Sequence, residues 1–378
     1  MFENSLAWLL LPLGMALGWA LARNRAAGGG ASREDTLAGL SSLANDNADQ
    51  AIDALSRAAD AEPAAVELQL TLGGLFRKRG EIDRAIRLHE AVLARDGLPQ
   101  KTADAARIEL AQDFLKAGLL DRAESLLQGM EGSSPQLAGA LELLLDLYEQ
   151  ARDWPQAIDT ARRLQAVKGQ SAAPRIAQYW CELADNARVG GDAAAAQQAL
   201  GKALDENPEC VRASLAQAGL AEAAKDWAGA VKAYWRAMQQ DGRYFAEVAP
   251  AMERCCKELG DQREYERFLA EAENSLAASA APSLARARWL RAQGGDVRGY
   301  LGDHLARKPS REGMLLWLET ADAVALPWVQ TLGESLKKSL AARPRYACSS
   351  CGLQPSMLFW QCPRCRQWGT VAPMEERL

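Results

Sequence analysis

Between Leu70 and Leu93 the apolar positions fall into two short helical rhythms separated by a single break. In the first, Leu72, Gly73 and Phe76 share one face; in the second, Ala85, Leu88 and Val92 share another, and Gly80 between them ends the first helix. The pattern predicts a helical hairpin in which the small residues Gly73 and Ala85 let the two backbones approach closely. Leu72, Phe76 and Val92 then fill the space around that approach. A hairpin of this size cannot bury its apolar face alone, so it must stack on copies of itself.

Copies are present. Gly39, Ala51, Leu55, Ala58 and Pro63 form one set, and Gly73, Ala85, His89, Val92 and Gly97 repeat it, each 34 positions later. The small residue that opens the second helix recurs at Ala123, Ala157, Ala196 and Ala230, in steps of 38, 34, 39 and 34. Phe76, Phe114 and Tyr148 stand in register as aromatic fillers. The two long steps are expected to be loop insertions near Gly97–Lys101 and Gly169–Pro174, with helix lengths held constant. A 34-residue helix–turn–helix period is the tetratricopeptide signature. Six units follow from Thr36. Glu247–Ala278, turning at Gly260, is a degenerate seventh; Ser283–Pro309, turning at Gly294-Gly295, is an eighth, and Arg311–Ala342 closes the stack. The expected fold is all-α, a tetratricopeptide-repeat superhelical solenoid with repeats over 36–278 and degenerate and capping helices over 279–342. Such an array lines a concave groove that suits peptide segments or helices of partner proteins.

The first 22 residues are a different object. From Phe2 to Ala22 only Glu3 is charged, and a run of about 20 apolar residues is long enough to span a bilayer as a helix. Arg23 and Arg25 follow at once while no Lys or Arg precedes. The positive-inside rule therefore puts the N-terminus outside and the rest of the chain in the cytoplasm. Ala20-Leu21-Ala22 resembles a signal-peptide cleavage site, but a signal peptide wants a basic leading segment and none is present. Gly14 and Gly18 form a G-x-x-x-G, through which a membrane helix can pair with a second copy as a homodimer; composition alone also accounts for it. Residues 23–35, rich in Gly and Ala, read as a flexible linker.

Composition changes this picture little. Of the residues, 48% are hydrophobic and 25% charged, as in ordinary folded proteins, and a net charge of −5 gives no global reason to expect nucleic acid. The chain holds two histidines. His89 sits at a repeat position that normally packs, so it reads as a core residue; His304 reads as a surface or capping residue. No G-x-S-x-G, P-loop or H-E-x-x-H occurs. Glu34-Asp35 and Glu375-Glu376 lie at chain edges and read as solvated. Cys255-Cys256 are neighbours on a helix and point different ways, which makes them buried small hydrophobes, and Cys181 and Cys210 are scattered. No catalytic residue is assigned.

The segment 343–378 changes character. After Arg343-Pro-Arg-Tyr-Ala come Cys348-Ser-Ser-Cys351-Gly and Cys362-Pro-Arg-Cys365. Two C-x-x-C turns each offer two thiolates on one side of a tight loop, and facing turns make a tetrahedral S₄ site. Gly352 suits the positive φ of such a knuckle. The composition of Ser356-Met-Leu-Phe-Trp-Gln is that of a strand, and with Tyr346 and Trp368 it supplies an aromatic core too small to fold without a metal. Tetrahedral S₄ suits zinc and iron alike, and a site closed by four protein ligands does not activate water.

Taken together, the apolar N-terminal run, the repeats carrying Leu70-Thr-Leu-Gly-Gly-Leu-Phe-Arg-Lys-Arg-Gly-Glu-Ile-Asp-Arg-Ala-Ile-Arg, and the closing Arg343-Pro-Arg-Tyr-Ala-Cys with Phe359-Trp-Gln-Cys-Pro-Arg-Cys resemble the lipopolysaccharide assembly protein B family. The resemblance implies a single-pass inner-membrane protein with cytoplasmic repeats and a rubredoxin-like tail. It implies an adaptor that limits lipopolysaccharide synthesis by promoting degradation of the deacetylase committing lipid A, through a membrane-bound ATP-dependent zinc metalloprotease. It also implies the gathering of other synthesis proteins at the membrane. The metal ligands carry over to Cys348, Cys351, Cys362 and Cys365, with one iron favoured and zinc the alternative. Departures from the family are the G-x-x-x-G and an alanine-rich fifth unit at Gly191–Ala199. Two other classes share some of these features: a rubredoxin-type electron carrier on a repeat scaffold, and a nucleic-acid zinc ribbon suggested by Arg343, Arg345, Arg364 and Arg366. An acidic body and a membrane anchor turn those arginines instead toward the scaffold, a partner or anionic lipid.

Overall fold

A computed structural model of the chain describes residues 48–61, 65–130, 136–320 and 326–374, with Asp35 and Ala38 before them. The anchor expected at 1–22, nearly all of the linker, and the repeat positions Gly39 and Pro63 lie outside the described residues. Among the described residues no helix is long and apolar enough to cross a membrane. The chain divides into two compact units, Met1–Gln170 and Ser171–Leu378.

The first unit opens with α1 (Ala48–Ala61) and continues as three hairpins: α2 (Val66–Arg79) with α3 (Ile82–Leu93), α4 (Gln100–Ala117) with α5 (Leu120–Gln128), and α6 (Leu137–Ala151) with α7 (Trp154–Lys168). The second unit pairs α8 (Ala173–Val189) with α9 (Ala193–Glu206), and α10 (Val211–Ala223) with α11 (Trp227–Gln240). After a 3₁₀ turn at Gly242–Tyr244 come α12 (Phe245–Leu259), α13 (Gln262–Ser275), α14 (Ala281–Ala292), α15 (Val297–Arg307), α16 (Arg311–Glu319) and α17 (Pro327–Ala341). Two short strands, β1 (Tyr346–Cys348) and β2 (Val371–Pro373), complete it. Each unit is a stack of tetratricopeptide hairpins, and the second ends in the cysteine knuckle.

The small-residue rhythm is the packing rhythm. Ala51, Ala85, Ala123, Ala157, Ala196 and Ala230 are each no more than 1% exposed, because the facing helix passes directly over them. Phe76, Phe114 and Tyr148 are buried in register. The turns share one chemistry as well. Gly80, Gly118 and Gly260 end α2, α4 and α12 in the left-handed region, at φ +88°, +77° and +71°. Arg152 and Lys225 take the same conformation at the ends of α6 and α10, at φ +56° and +59°. From α7 onward an aspartate caps the second helix of the hairpin: Asp153, Asp192, Asp226, Asp261 and Asp296 each accept from a backbone N–H three residues on. Such a cap stabilises a helix by about 1 kcal/mol.

Two sequence expectations are corrected here. The long repeat steps do not leave helix lengths constant: α4 runs to 18 residues and α8 to 17, against 14 in α2. Four extra residues are about one helical turn, so they lengthen the helix and return its apolar stripe to the same face. Gly73 does not serve backbone approach. A Cβ there would stand 2.2 Å from Nε2 of His89, so the missing side chain makes room for an imidazole. The closing helix α17 buries Val329 but leaves Trp328 and Leu332 exposed, Trp328 by 63%, and Leu326 just before it is exposed too.

Candidate metal centre

β1 and β2 pair antiparallel with Tyr346 opposite Pro373 and Cys348 opposite Val371, which fixes the first cysteine at a strand end. The two C-x-x-C turns are built alike. In one, Gly352 N–H donates to Cys348 O (3.0 Å) and Cys348 N–H to Leu353 O (2.8 Å); in the other, Arg366 N–H donates to Cys362 O (2.8 Å) and Cys362 N–H to Gln367 O (3.0 Å). Each loop therefore needs a left-handed residue just after its second cysteine. Gly352 (φ +72°) fills that position in the first and Arg366 (φ +58°) in the second.

The loops face each other, and all four sulfurs lie within 4.8 Å of one another. Cys348 and Cys365 Sγ are 3.7 Å apart, as are Cys351 and Cys362. Four sulfurs about 2.3 Å from a tetrahedral metal would be roughly 3.8 Å apart, so the donor set fits such an ion without rearrangement. The Thr370 hydroxyl, 3.3 Å from Cys348 Sγ, together with nearby N–H groups, holds that thiol down to about 6. The Gln367 N–H lowers Cys365 in the same way. The Leu353 N–H also favours the Cys351 thiolate, but desolvation and hydrogen bonding to the other three sulfurs hold it up at about 11. Four thiolates this close cannot all ionise without a cation among them, which is the electrostatic case for a metal. The four cysteines form a tetrahedral metal-binding site, and its sulfur donors leave no position open to water.

The knuckle is held against the helices of its own unit. Trp360 stacks on Tyr244, with centroids 5.8 Å apart and planes 16° from parallel, and Trp368 meets Tyr179 edge-on at 5.9 Å. The Tyr244 hydroxyl donates to Val371 O at 3.4 Å. Glu247 on α12 accepts from Tyr346 Oη (2.7 Å) and from Arg345 (3.0 Å). Arg345 thus reaches the scaffold from an exposed position, and Arg364 and Arg366 are exposed as well. Arg343 lines a cavity of about 210 Å³ with Leu340, Pro344, Glu247 and Met374.

The other candidates divide. His89 is fully buried, as expected, and both ring nitrogens meet acceptors: Nδ1 is 2.5 Å from Asp113 Oδ2 and Nε2 is 3.2 Å from Leu70 O. Arg77 donates to the other oxygen of the same carboxylate at 2.7 Å. His304, expected at the surface, is instead buried at 6% exposure, because α15 turns it inward beside Leu301; its Nε2 has no hydrogen-bond partner. Cys255 and Cys256 are buried, and desolvation pushes both thiols up, to about 11 and about 12. Asp35 pairs with Arg57 at 3.0 Å, while Glu34, Glu375 and Glu376 lie outside the described residues. Cys181 and Cys210, scattered in the sequence, come together at 3.9 Å.

Residues 346–373 match the family described as a rubredoxin metal binding domain, and residues 36–102 and 181–243 match the tetratricopeptide repeat. Lipopolysaccharide assembly protein B of Escherichia coli (strain K12) is 30% identical over 98% of this chain and 98% of its own. The protein of that name from Haemophilus influenzae (strain ATCC 51907 / DSM 11121 / KW20 / Rd) is likewise 30% identical, with the same coverage of both chains. The chain belongs to the lipopolysaccharide assembly protein B family. Among solved structures, a tetratricopeptide repeat protein from Parabacteroides merdae ATCC 43184 covers 65% of this chain and 93% of its own, at 15% identity and a TM-score of 0.37. Membership of the lipopolysaccharide assembly protein B family accounts for the pairing of a repeat array with a rubredoxin-like end in one chain.

Proposed function

We propose that this chain is a membrane-anchored adaptor in lipopolysaccharide assembly. The observation that carries the reading is the way its metal centre is built: four cysteines close on one another, and aromatic contacts hold that knuckle against stacked hairpins. A closed sulfur cage offers no site for substrate, and binding surface is what a tetratricopeptide stack supplies. The curated relatives carry the name of an assembly protein, which agrees with a scaffold.

In this reading residues 1–22 anchor the chain in the inner membrane, N-terminus periplasmic, and residues 23–35 tether a cytoplasmic array to it. Confinement at the surface raises the effective concentration of a bound client near membrane-embedded machinery. The client is the deacetylase that commits lipid A synthesis, and the machinery is a membrane-bound ATP-dependent zinc metalloprotease; other synthesis proteins gather on the same surface. The cage holds one iron through Cys348, Cys351, Cys362 and Cys365, with zinc as the alternative, and its task is to brace the hairpins it packs against, around Tyr179 and Tyr244, or to present a second binding face.

Purification of the full-length protein from membranes, with identification of its companions, tests this directly. The protease and the deacetylase should come with it. Cys348→Ser with Cys351→Ser should lose the metal and raise deacetylase levels in cells; unchanged deacetylase turnover in that variant overturns the role given to the knuckle. Deleting residues 1–22 should release the chain from the membrane and weaken regulation, and full regulation by the soluble form overturns the tether.

A further inference from the structure

The thiols of Cys181 and Cys210 meet in a small apolar compartment of the second unit, walled by Ala177, Ala184, Leu200 and Ala213. Their sulfurs are 3.9 Å apart, in van der Waals contact, so a shift of about 2 Å would bring them to disulfide distance. The two cysteines are not equivalent. Cys181 lies mid-way along α8 with no main-chain donor to spare. Cys210 is the residue just before α10, at the positive end of that helix's dipole. Gln178 Nε2 approaches its sulfur at 3.8 Å, and Arg212, two residues on, brings a guanidinium that Glu182 and Asp185 hold at 2.7 and 2.8 Å. Arg212 lowers both thiols, but the Gln178 contact and the position at the start of α10 belong to Cys210, which favours a thiolate there over one on Cys181.

We propose that Cys181 and Cys210 form a reversible dithiol–disulfide site, oxidised by hydrogen peroxide, with Cys210 as the attacking thiol and Cys181 as the resolving one. The Cys210 thiolate attacks one peroxide oxygen; the O–O bond breaks, the departing hydroxide takes a proton to leave as water, and Cys210 becomes a sulfenic acid. The Cys181 sulfur then attacks that of Cys210. The S–S bond forms, the S–OH bond breaks, and the hydroxide leaves as a second water with the Cys181 proton. Two thiols and one peroxide become one disulfide and two waters. Both thiols are buried, Cys181 at 1% and Cys210 at 2% exposure, and peroxide reaches them past the exposed Pro208 and Glu209 that precede Cys210. A dithiol reductant restores the pair by exchange.

The protonation chemistry agrees with the geometry. A hydrogen bond from Cys181, then the N–H of Ala213 and the charge of Arg212, lower the Cys210 thiol from its usual value, while Cys181 is raised as the proton-keeping partner. Cys255 and Cys256 supply the contrast within the same chain. Both are raised by desolvation, and as neighbours on one helix they cannot reach each other's sulfur.

The test uses the full-length, metal-loaded protein. Hydrogen peroxide is titrated below the level that releases the metal, the protein is denatured in an alkylating agent, and its peptides are mapped. A Cys181–Cys210 cross-linked peptide should appear, with loss of two of the eight thiols, and dithiothreitol should restore both. In Cys181→Ala, Cys210 should accumulate as a sulfenic acid trapped by dimedone; in Cys210→Ala, Cys181 should stay unlabelled. The wild-type map needs no variant, so it stands even where a substitution perturbs folding. Full alkylation of both cysteines at the highest peroxide level that leaves the metal bound overturns the proposal, and so does equal dimedone labelling of the two single variants.

Discussion

The rings of Tyr244 and Trp360 lie almost parallel, 5.8 Å apart, and join the turn before α12 to the loop between the two cysteine turns. Arg212 covers the same indole at 5.8 Å. An aromatic pair contributes about 0.5–1.5 kcal/mol beyond its buried area, and a cation over the ring about 0.5–1 kcal/mol more. Trp360→Ala should therefore loosen the knuckle from the helices without losing metal, since the indole ligates nothing. Amide hydrogen exchange across 346–373 should rise several-fold while the metal content stays that of the native chain. Tyr244→Phe should be nearly silent, because its hydroxyl makes only a long bond of 3.4 Å to Val371. Exchange that does not respond to Trp360→Ala would place the attachment in Glu247 and its partners instead.

Gly73 and His89 test how the repeat packs. Alanine is favoured over glycine in a helix by about 1 kcal/mol. Yet a methyl at position 73 would stand 2.2 Å from Nε2 and 2.5 Å from Cε1 of a fully buried ring. Overpacking of that kind costs about 1–3 kcal/mol, so Gly73→Ala should destabilise the protein. His89→Ala should also destabilise it, by opening a cavity and taking one partner from the buried Asp113 carboxylate. With the ring gone, Gly73→Ala should become neutral or stabilising. Urea midpoints of the four proteins give the coupling between the sites, and additive effects would show that the ring moves aside at no cost.

These two pairs also show what the sequence could disclose. Ala51, Ala85, Ala123, Ala157, Ala196 and Ala230 are legible because a helix crossing admits only a small residue, and a fixed crossing recurs at a fixed period. The S₄ centre is legible because C-x-x-C spacing is itself the loop geometry. Left-handed turns are legible where glycine fills them, at Gly80 and Gly118, and hidden where Arg152, Lys225 or Arg366 does, since nothing in those side chains demands positive φ. The extra turn of α4 looked like loop because a one-turn insertion preserves the apolar stripe and leaves no phase break. The burial of His304 is not legible, because it depends on which face of a degenerate repeat turns inward. Cys181 and Cys210 meet through contact between α8 and α10, which no local pattern records.

His304 gives a pH dependence with a definite sign. Burial, followed by the nearby charges of Lys308 and Arg307, lowers its pKa below the ordinary value, while Glu273 opposes them weakly. The unfolded chain therefore takes up the proton first as pH falls. The contribution from this neutral, buried imidazole is fully present above the unfolded value of about 6.5 and is lost as pH drops through the lower, folded value. His304→Leu removes the titrating group along with a buried Nε2 that has no partner. Urea denaturation from pH 8 to pH 5 should find the variant's stability changing less than the wild type's, the difference widening below about pH 6.5. A constant difference across that range would show that His304 titrates alike in both states.

The knuckle should depend on its metal and the hairpins should not. Tyr346, Cys348, Cys362 and Val371 are its whole buried cluster, two of the four being ligands, and its strands are three residues each. So small a core cannot offset the conformational entropy of ordering the segment, so binding energy must supply the balance. A strong chelator, or Cys348→Ser with Cys351→Ser, should melt residues 346–373, seen as rapid hydrogen exchange there. Far-ultraviolet circular dichroism should barely change, because the alanine-centred packing of the hairpins contains no ligand. Near-ultraviolet dichroism should change clearly, since Trp360 and Trp368 leave Tyr244 and Tyr179. Metal release should also become easier in acid, because thiols must be deprotonated to bind. If the helical signal collapses together with the metal, the knuckle is a keystone of the second unit, and Tyr244, Glu247 and Tyr179 are the contacts through which its loss would spread.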